Sequence, residues 1–286
     1  MPTAGSIIAN VRVLFGDPDR DWLTDAVGLD FLNRAERRFV NNVEPLDEIK
    51  DYVVVSKQSR YDLPTNCIIP TGAMWYQNRV TKLKYESPDV WSQMEEAFPN
   101  STGTPDFYSV IRRQMVVGPN VPTTASSNST ASGLMYSSTT TLSLVAASGT
   151  FRTKGFAKVN SEVFEYTGVA SSTLTGVTRG VHGTTAASHA SGDTVTQIDI
   201  QLGYRKSPGV MSATSSTPEI PETYHDYLEK YILYLSWLAR GDNEKAQIAY
   251  AEFASYEESA GKNVGRRSRD GMMKIQDKRN RWFAGW

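Results

Sequence analysis

The sequence predicts an α+β protein with a mainly helical body, a small irregular β region and an inserted all-β module. Apolar residues recur every three to four positions within residues 6–45 and 219–260, as they do in amphipathic helices. Between these segments the period changes to two, which is typical of strands. Residues 121–200 carry only eight charged side chains and abound in Ser, Thr, Ala, Gly and Val, a composition that favours short strands and turns.

The N-terminal segment predicts two helices. The first runs from Ser6 to Phe15 and is broken by the sequence GDP that follows it. The second starts after Thr24, a good N-cap residue, and Pro45 stops it. Its apolar face comprises Phe31, Leu32, Ala35 and Phe39.

The β region follows, with strand patterns, one short helix and a hairpin. Strands are predicted in IKDYVVVS, SRYDLPTN, GAMWYQN and VTKLKYE. A helix from Pro88 to Phe98 has Ser87 as its cap, and PDFYSVIRRQMVVGP is typical of a hairpin. We expect QIDIQLGYRKSPG, after the module, to pair with VIRRQMVVG. The module would then sit at a hairpin tip, where extra residues cost little free energy.

A helical hairpin is predicted at residues 219–260. Its first helix lies in PETYHDYLEKYILYLSWLARG and exits at Gly241, and Asp242 caps the second, in NEKAQIAYAEFASYEESAG. Residues 219–260 hold nine acidic and three basic side chains, a net −6, whereas 261–286 hold eight basic and two acidic, a net +6. We therefore divide the chain into a discontinuous body of 1–120 with 199–260, an inserted Ser/Thr/Gly-rich β domain of 121–198 and a basic aromatic tail of 261–286.

Whole-chain composition excludes several classes of protein. The 30 basic and 31 acidic residues nearly cancel, so no overall field draws the chain to nucleic acid or to a membrane. A single cysteine, Cys67, excludes an internal disulfide framework and is most simply a small buried apolar side chain. No apolar run approaches the ~18 residues that a membrane-spanning helix needs, and the first residues lack a signal-peptide pattern. We expect a soluble, unexported protein.

The motifs that suggest ligand chemistry each lack a required group. GVTRGVHGTT has no Lys followed by Ser or Thr, so Gly176, Gly180 and Gly183 are interpreted as turn glycines and not as a phosphate loop. The three histidines, which lack the spacing of metal ligands, are His182, His189 and His225. We expect loop hydrogen bonds from the first two, and neither a metal nor a cofactor.

Paired carboxylates and clustered aromatics suggest two further activities. Glu95-Glu96 and Glu257-Glu258 could serve a cell-wall hydrolase, but they fall on polar helical faces, where we expect solvated side chains and no cleft. The tyrosines of 224–234 and four tryptophans could stack on single-stranded nucleic acid, but their spacing is that of a core. These tryptophans are Trp22, Trp75, Trp91 and Trp237. We expect no enzymatic activity.

The C-terminal tail carries the strongest functional signal. It combines seven basic side chains, which suit phosphate or an acidic protein surface, with three large aromatics, which suit hydrophobic anchoring. These ten predicted partner-binding residues are Arg266, Arg267, Arg269, Lys274, Lys278, Arg279, Arg281, Trp282, Phe283 and Trp286. A solvated terminus and a DNA contact are the alternatives. We favour docking on a protein, because a solubility tail would not need three aromatics in its last five residues.

The order of several motifs resembles the adaptor, or head-to-tail connector, proteins of podovirus-type tailed bacteriophages. The matching motifs are DWLTDAVGLDFLNRAERRF, YDLPTN, TPDFYSV with MVVGP, LGYRKSP and IPETYHDYLEKYILYLSWLARGD. Within the module, EVFEYTGVASSTLTGVTRGVHGTTAASHASGDTV resembles a small β module that recurs in phage virion proteins.

The resemblance implies a structural virion protein that is not an enzyme. It implies a helical-bundle subunit in a ring of twelve copies beneath the portal, with DNA passing through the lumen without sequence readout. It also implies a C-terminal extension that reaches the portal, and a tail tube or nozzle protein that binds the opposite side of the ring. The resemblance further implies that the protein does not contact a membrane. The location would be the neck of the virion, after assembly in the host cytoplasm. A virion-associated cell-wall hydrolase and a nucleic-acid-binding protein are the alternative functions.

Overall fold

The computed structural model describes residues 2–19, 21–76, 81–98, 101–145 and 151–262. They fall into two compact units. One joins the residues up to Leu46 with those from Lys206 onward, and the other spans Asp47–Arg205. The first is a helical unit and the second is built mainly from β-sheets. The three-part division into body, inserted domain and tail remains a prediction.

The helices match the sequence patterns closely. In chain order they are α1 (Ala4–Phe15), α2 (Asp25–Asn42), α3 (Pro88–Ala97), α4 (His225–Arg240, preceded by a 3-10 turn at Glu222–Tyr224) and α5 (243–262). The side chains of Thr3 and Thr24 accept the N–H groups of Ser6 and Val27, which caps α1 and α2. The two N-terminal helices are therefore confirmed, with α1 starting two residues before the predicted boundary.

The helical unit has an apolar core to which four helices contribute. Its fully buried members include Ile7 of α1, Leu32 and Phe39 of α2, Leu228 of α4 and Phe253 of α5. At the crossing of α1 and α2, a Cβ on Gly28 would lie 2.7 Å from a side-chain carbon of Ile8. Only glycine lets these two helices approach so closely.

Fourteen strands lie in the described residues and form three sheets. In chain order they are β1 (Leu46–Tyr52), β2 (Arg60–Asp62), β3 (Cys67–Trp75), β4 (Thr81–Tyr85), β5 (Phe107–Ile111), β6 (Gln114–Gly118), β7 (Asn128–Thr130), β8 (Thr141–Ser143), β9 (Gly155–Val159), β10 (Glu162–Tyr166), β11 (Gly168–Ala170), β12 (Thr173–Thr175), β13 (Thr194–Ile198) and β14 (Ile200–Lys206).

The largest sheet has seven strands in the order β1-β14-β3-β4-β5-β6-β2. It is mixed, because β4 pairs in parallel with β5, whereas β5 and β6 form the predicted antiparallel hairpin. Its apolar core includes Trp75, Leu83, Met115, Val117 and Leu202, which are all at most 1% exposed.

The predicted fold class is wrong in its balance of elements. The sequence predicted a mainly helical body with a small irregular β region, but the described residues are rich in β structure and the β region is part of a seven-stranded mixed sheet. The predicted pairing of the strand after the module is also wrong, because β14 lies between β1 and β3, and the neighbours of β6 are β5 and β2. Local periodicity identifies strands, but pairing between distant segments decides how many join one sheet.

The low-charge segment forms two small sheets that share a core. The four-stranded sheet has the order β10-β9-β13-β7, and the three-stranded sheet has the order β11-β12-β8. The core includes Leu142, Phe164, Tyr166, Leu174 and Val195, all at most 3% exposed. We refer to the described residues of 128–198 as the β module.

Candidate interaction surface of the helical unit

The ten predicted partner-binding residues lie outside the described residues, which end at Lys262. The described part of the chain that directly precedes the tail is a helical hairpin. This hairpin consists of α4 and α5 and packs on α1 and α2.

The turn of the hairpin follows from a glycine and an aspartate. Gly241 ends α4 with a left-handed φ of 83°, and its N–H donates to the carbonyl oxygens of Trp237 and Leu238. Asp242 Oδ1 then accepts the N–H of Lys245 at 3.1 Å and caps α5. The exit at Gly241 and the cap at Asp242 are both confirmed.

An ion pair between α2 and α5 positions the hairpin. Arg38 donates from Nε and Nη2 to the two carboxylate oxygens of Glu257, at 3.0 and 2.9 Å. Asn42 and the hydroxyl of Tyr227 donate to the same carboxylate, each at 3.0 Å. The hydrogen bond from Arg38 lowers the pKa of Glu257 below its usual value despite partial burial. Bidentate geometry fixes both distance and orientation, so this pair sets the angle of α5 against α2.

Glu257 differs from its neighbour Glu258. The side chain of Glu257 is only 21% exposed, so the expectation of a solvated carboxylate is wrong there, whereas Glu258 is 69% exposed and pairs with Lys262. Glu95 and Glu96 on α3 are exposed as expected. Since both residues of the 257–258 pair follow the same helical pattern, only the position of α2 distinguishes them.

An open groove lies between α4 and α5 near their turn. It has a volume of about 290 Å³ and is lined by Tyr234, Leu238, Asn243, Ala246, Gln247 and Tyr250. Leu238 and Tyr250 are 45% and 43% exposed, and the rings of Tyr234 and Tyr250 are 5.1 Å apart. The groove thus combines an apolar, aromatic floor with two side-chain amides, a composition typical of sites that receive a large side chain.

The surface around the hairpin is acidic. Within residues 219–260 several carboxylates are neutralised by a basic side chain, as Glu252 is by Lys230 at 2.6 Å. Glu222, Asp226 and Glu244 are exposed and have no basic partner among the described residues. Ion pairs with Arg38, Lys206 and Lys262, which lie outside this segment, offset part of its net −6, and the exposed groups keep an acidic surface that can meet a basic partner.

The β module contains a second charged site that the sequence motifs only partly indicated. Glu162 of β10 is fully buried, and its two oxygens accept Nε and Nη2 of Arg179, both at 2.6 Å. The N–H groups of Gly180 and Ala187 donate to the same carboxylate, at 3.2 and 2.9 Å, and His189 Nε2 lies 2.8 Å away. These contacts tie the segments around Gly180, Ala187 and His189 to one strand.

The protonation of Glu162 follows from these contacts. Burial alone would raise the pKa of this carboxyl group, but hydrogen bonds from Arg179, Ala187 and His189 outweigh burial and lower the pKa to about 2. From the sequence, Gly180 was interpreted as a turn glycine and His189 as a loop hydrogen-bonding residue, and no role was predicted for Glu162 or Arg179. The strand EVFEY contains two glutamates, and the sequence offered no signal that distinguishes the buried Glu162 from the exposed Glu165.

A polar network joins the base of the β module to the large sheet. Asp199 pairs with Arg152 and accepts the hydroxyl of Ser126 at 2.7 Å, while Ser126 Oγ accepts the N–H of Val54 at 2.8 Å. His182 Nδ1 lies 2.8 Å from Asp51 of β1. His182 and His189 are thus hydrogen-bonded in turns, as expected.

The described residues contain no group of three or more His, Cys, Asp or Glu side chains that could hold a metal ion. No helix among them is long and apolar enough to span a membrane. Trp75 and Trp91 are buried, Trp22 packs against the helical core, and Trp237 packs on Phe15 with ring centroids 4.4 Å apart. Core packing thus accounts for all four tryptophans considered for base stacking.

Comparison with known proteins supplies the family. No protein with a curated description matches the chain. A sequence model described as SU10 adaptor protein matches residues 2–276, which include both compact units and the first part of the basic tail. The match spans nearly the whole chain, and it agrees with the motif order of the helical unit and the large sheet. The chain therefore belongs to the SU10 adaptor protein family, a family of bacteriophage adaptor proteins.

Proposed function

We propose that this protein is a structural subunit of a ring in the phage neck, joining the portal to the tail tube or nozzle protein. Twelve copies surround a lumen through which DNA passes without sequence readout, and the ring is assembled in the host cytoplasm. The observation that carries the proposal is the adaptor family match over residues 2–276.

The charge distribution supports a ring. A closed ring of identical subunits is heterologous, so each subunit needs two different and complementary surfaces. The hairpin segment 219–260 carries −6 and the tail segment 261–286 carries +6. Such a pair of surfaces steers subunits or partners into register.

The C-terminal tail is the proposed portal-docking element. Its three aromatics supply anchors and its seven basic side chains supply charge complementarity, the combination found at interface hot spots. Deletion of residues 262–286 should abolish attachment to portal rings in a sedimentation assay while leaving the far-UV circular dichroism of the body unchanged. Substituting only Trp282, Phe283 and Trp286 by alanine should reproduce most of the loss. Unchanged attachment of the deletion variant would overturn the docking role.

The ring itself is tested separately. Native mass spectrometry and negative-stain images of the protein mixed with its portal should show a closed ring of twelve copies on the portal. A monomer that never assembles, with or without the portal, would contradict the proposal.

The described carboxylates lend no support to the hydrolase alternative. A glycosidase acid needs a raised pKa and access to substrate. Hydrogen bonds from Arg38 and Lys262 lower the pKa values of Glu257 and Glu258. Burial raises the pKa values of Glu36 and Asp199, but both residues are only 1% exposed. The Oε1 of Glu36 also accepts the N–H of Glu219 at 2.6 Å. The DNA-binding alternative predicts duplex affinity that falls steeply with salt, which a titration of the isolated chain measures.

A further inference from the structure

The groove between α4 and α5 has an apolar floor with no covering residue among the described parts of the chain. Leu238 and Tyr250 are 45% and 43% exposed, and Ile248 and Tyr256 on α5 are exposed as well, whereas Tyr227, Leu228, Ile232 and Phe253 are buried. Its volume of about 290 Å³ lies just below the range of pockets that hold drug-sized ligands, which begins near ~300 Å³. The groove thus suits a single large side chain.

The chemistry of the groove favours an aromatic side chain. Tyr234 and Tyr250 offer ring faces, Leu238 and Ala246 offer aliphatic contacts, and the amide oxygens of Asn243 and Gln247 can accept an indole N–H. An indole matches this combination of apolar walls and amide acceptors better than an aliphatic side chain does.

The chain supplies such side chains at a suitable distance. A helix rises 1.5 Å per residue, so Lys262 at the end of α5 is about 24 Å along the helix from Ala246 in the groove. Trp282 follows Lys262 by 20 residues, enough to span ~30 Å as a helix and ~70 Å when extended.

Charge favours the same path. A segment returning from Lys262 to the groove would run along the hairpin, whose residues 219–260 carry a net −6 that ion pairs with Arg38, Lys206 and Lys262 offset in part. The exposed carboxylates of Glu222, Asp226 and Glu244 have no basic partner among the described residues. A tethered segment also has an effective concentration in the millimolar range, well above that of a second copy in dilute solution.

We propose that the groove between α4 and α5 binds the aromatic end of the chain's own C-terminal segment, with Trp282 or Phe283 as the inserted side chain. The free subunit then holds its docking element against its own hairpin, and the portal must displace it. Only the displacement by the portal rests on the proposed function, whereas the binding of the segment in the groove does not. Binding within the free chain is measured without the portal, so its failure leaves the docking result standing.

Disulfide trapping tests the contact in the full-length protein. In a Cys67→Ser background, Gln247→Cys at the groove is combined with Ala284→Cys beside the aromatic residues. The matched control replaces Gln247→Cys by Ser255→Cys, an exposed position on α5 that is nearer to Lys262 along the helix. In a glutathione redox buffer the 247–284 disulfide should close at least ten times faster than the 255–284 disulfide.

The alternatives give distinct outcomes. A tail without a preferred site closes the 255–284 disulfide as fast or faster, because position 255 is nearer to the tail's origin, and this would overturn the proposal. Disulfide-linked dimers whose rate rises with protein concentration would assign the groove to a second copy and overturn it equally. Adding Trp282→Ala with Phe283→Ala, or Leu238→Glu, should lower the 247–284 rate to that of the control. An unchanged rate in both would overturn the proposal, because neither the aromatic side chains nor the groove would then hold the segment. Circular dichroism verifies that each variant folds.

Discussion

Each compact unit contains a glutamate held by an arginine through two hydrogen bonds, but the two pairs lie in opposite surroundings. In the helical unit, Glu257 and Arg38 are 21% and 29% exposed, at the edge of a core rich in aromatic rings. In the β module, Glu162 is fully buried and Arg179 is 6% exposed. The first pair lies at the edge of an apolar core, whereas the second pair lies in the interior of the β module.

The difference reflects how each unit buries apolar surface. Phe39, Tyr227 and Phe253 pack with ring centroids 4.9 to 5.1 Å apart and supply much of the helical core. The β module has short strands and long turns, and its turns converge on one carboxylate that accepts backbone N–H groups from Gly180 and Ala187. A buried charge with every oxygen hydrogen-bonded specifies those turn conformations, which apolar contacts alone would leave less defined.

The largest effect is expected from removing the buried carboxylate. Glu162→Ala leaves the Arg179 guanidinium buried without its partner, and such losses cost about 3–5 kcal/mol. Hydrogen exchange resolved by residue should show faster exchange throughout the β module and unchanged protection of α1, α2 and α4. Glu165→Ala, at an exposed position on the same strand, is the matched control and should change stability by less than about 0.5 kcal/mol. Equal effects of the two substitutions would contradict a structural role for Glu162.

The same pair predicts an acid-sensitive β module. The pKa of Glu162 is about 2 when folded, against an ordinary 4.5. Since the folded pKa is the lower one, the stabilisation is complete above about pH 5 and is lost as the pH falls towards 2. A difference of this size corresponds to about 3 kcal/mol. Urea unfolding of the wild type and of Glu162→Gln at pH 7, 4 and 2.5 should give free-energy differences that shrink steadily. A difference independent of pH would exclude Glu162 as the titrating group.

The rim pair in the helical unit should matter less. Glu257→Gln retains one acceptor for Arg38 and Asn42 but removes the charge, so a loss of about 1–2 kcal/mol is expected, less than for the buried pair. Thermal unfolding followed by circular dichroism at 222 nm measures it, because helices dominate that signal. Glu258→Gln on the exposed neighbour should change stability by less than about 0.5 kcal/mol. A larger loss for Glu258→Gln than for Glu257→Gln would show that the rim pair does not position α5.

Particular residues show where sequence reasoning succeeded and where it failed. Thr24, Ser87 and Asp242 were predicted as caps, and each accepts the expected backbone N–H, because capping depends on a few adjacent residues. The pairing of β14 was predicted wrongly, because its neighbours β1 and β3 lie more than a hundred residues away along the chain. Glu257 was assigned to solvent because its partners, Arg38, Asn42 and Tyr227, belong to other helices.

The amino-acid sequence by itself therefore determined the helices, the strand segments of the large sheet, the hairpin turn at Gly241 and Asp242, the charge segregation and the motif order that points to an adaptor. These features depend on the spacing of residues and on their neighbours along the chain, both of which are read directly from the sequence. Only the tertiary structure decided that the β region forms one seven-stranded sheet, that Glu162 and Glu257 are held by arginines, and that an apolar groove stays open between α4 and α5. Each of these depends on which distant segments come together, and burial and hydrogen bonding are set by those contacts.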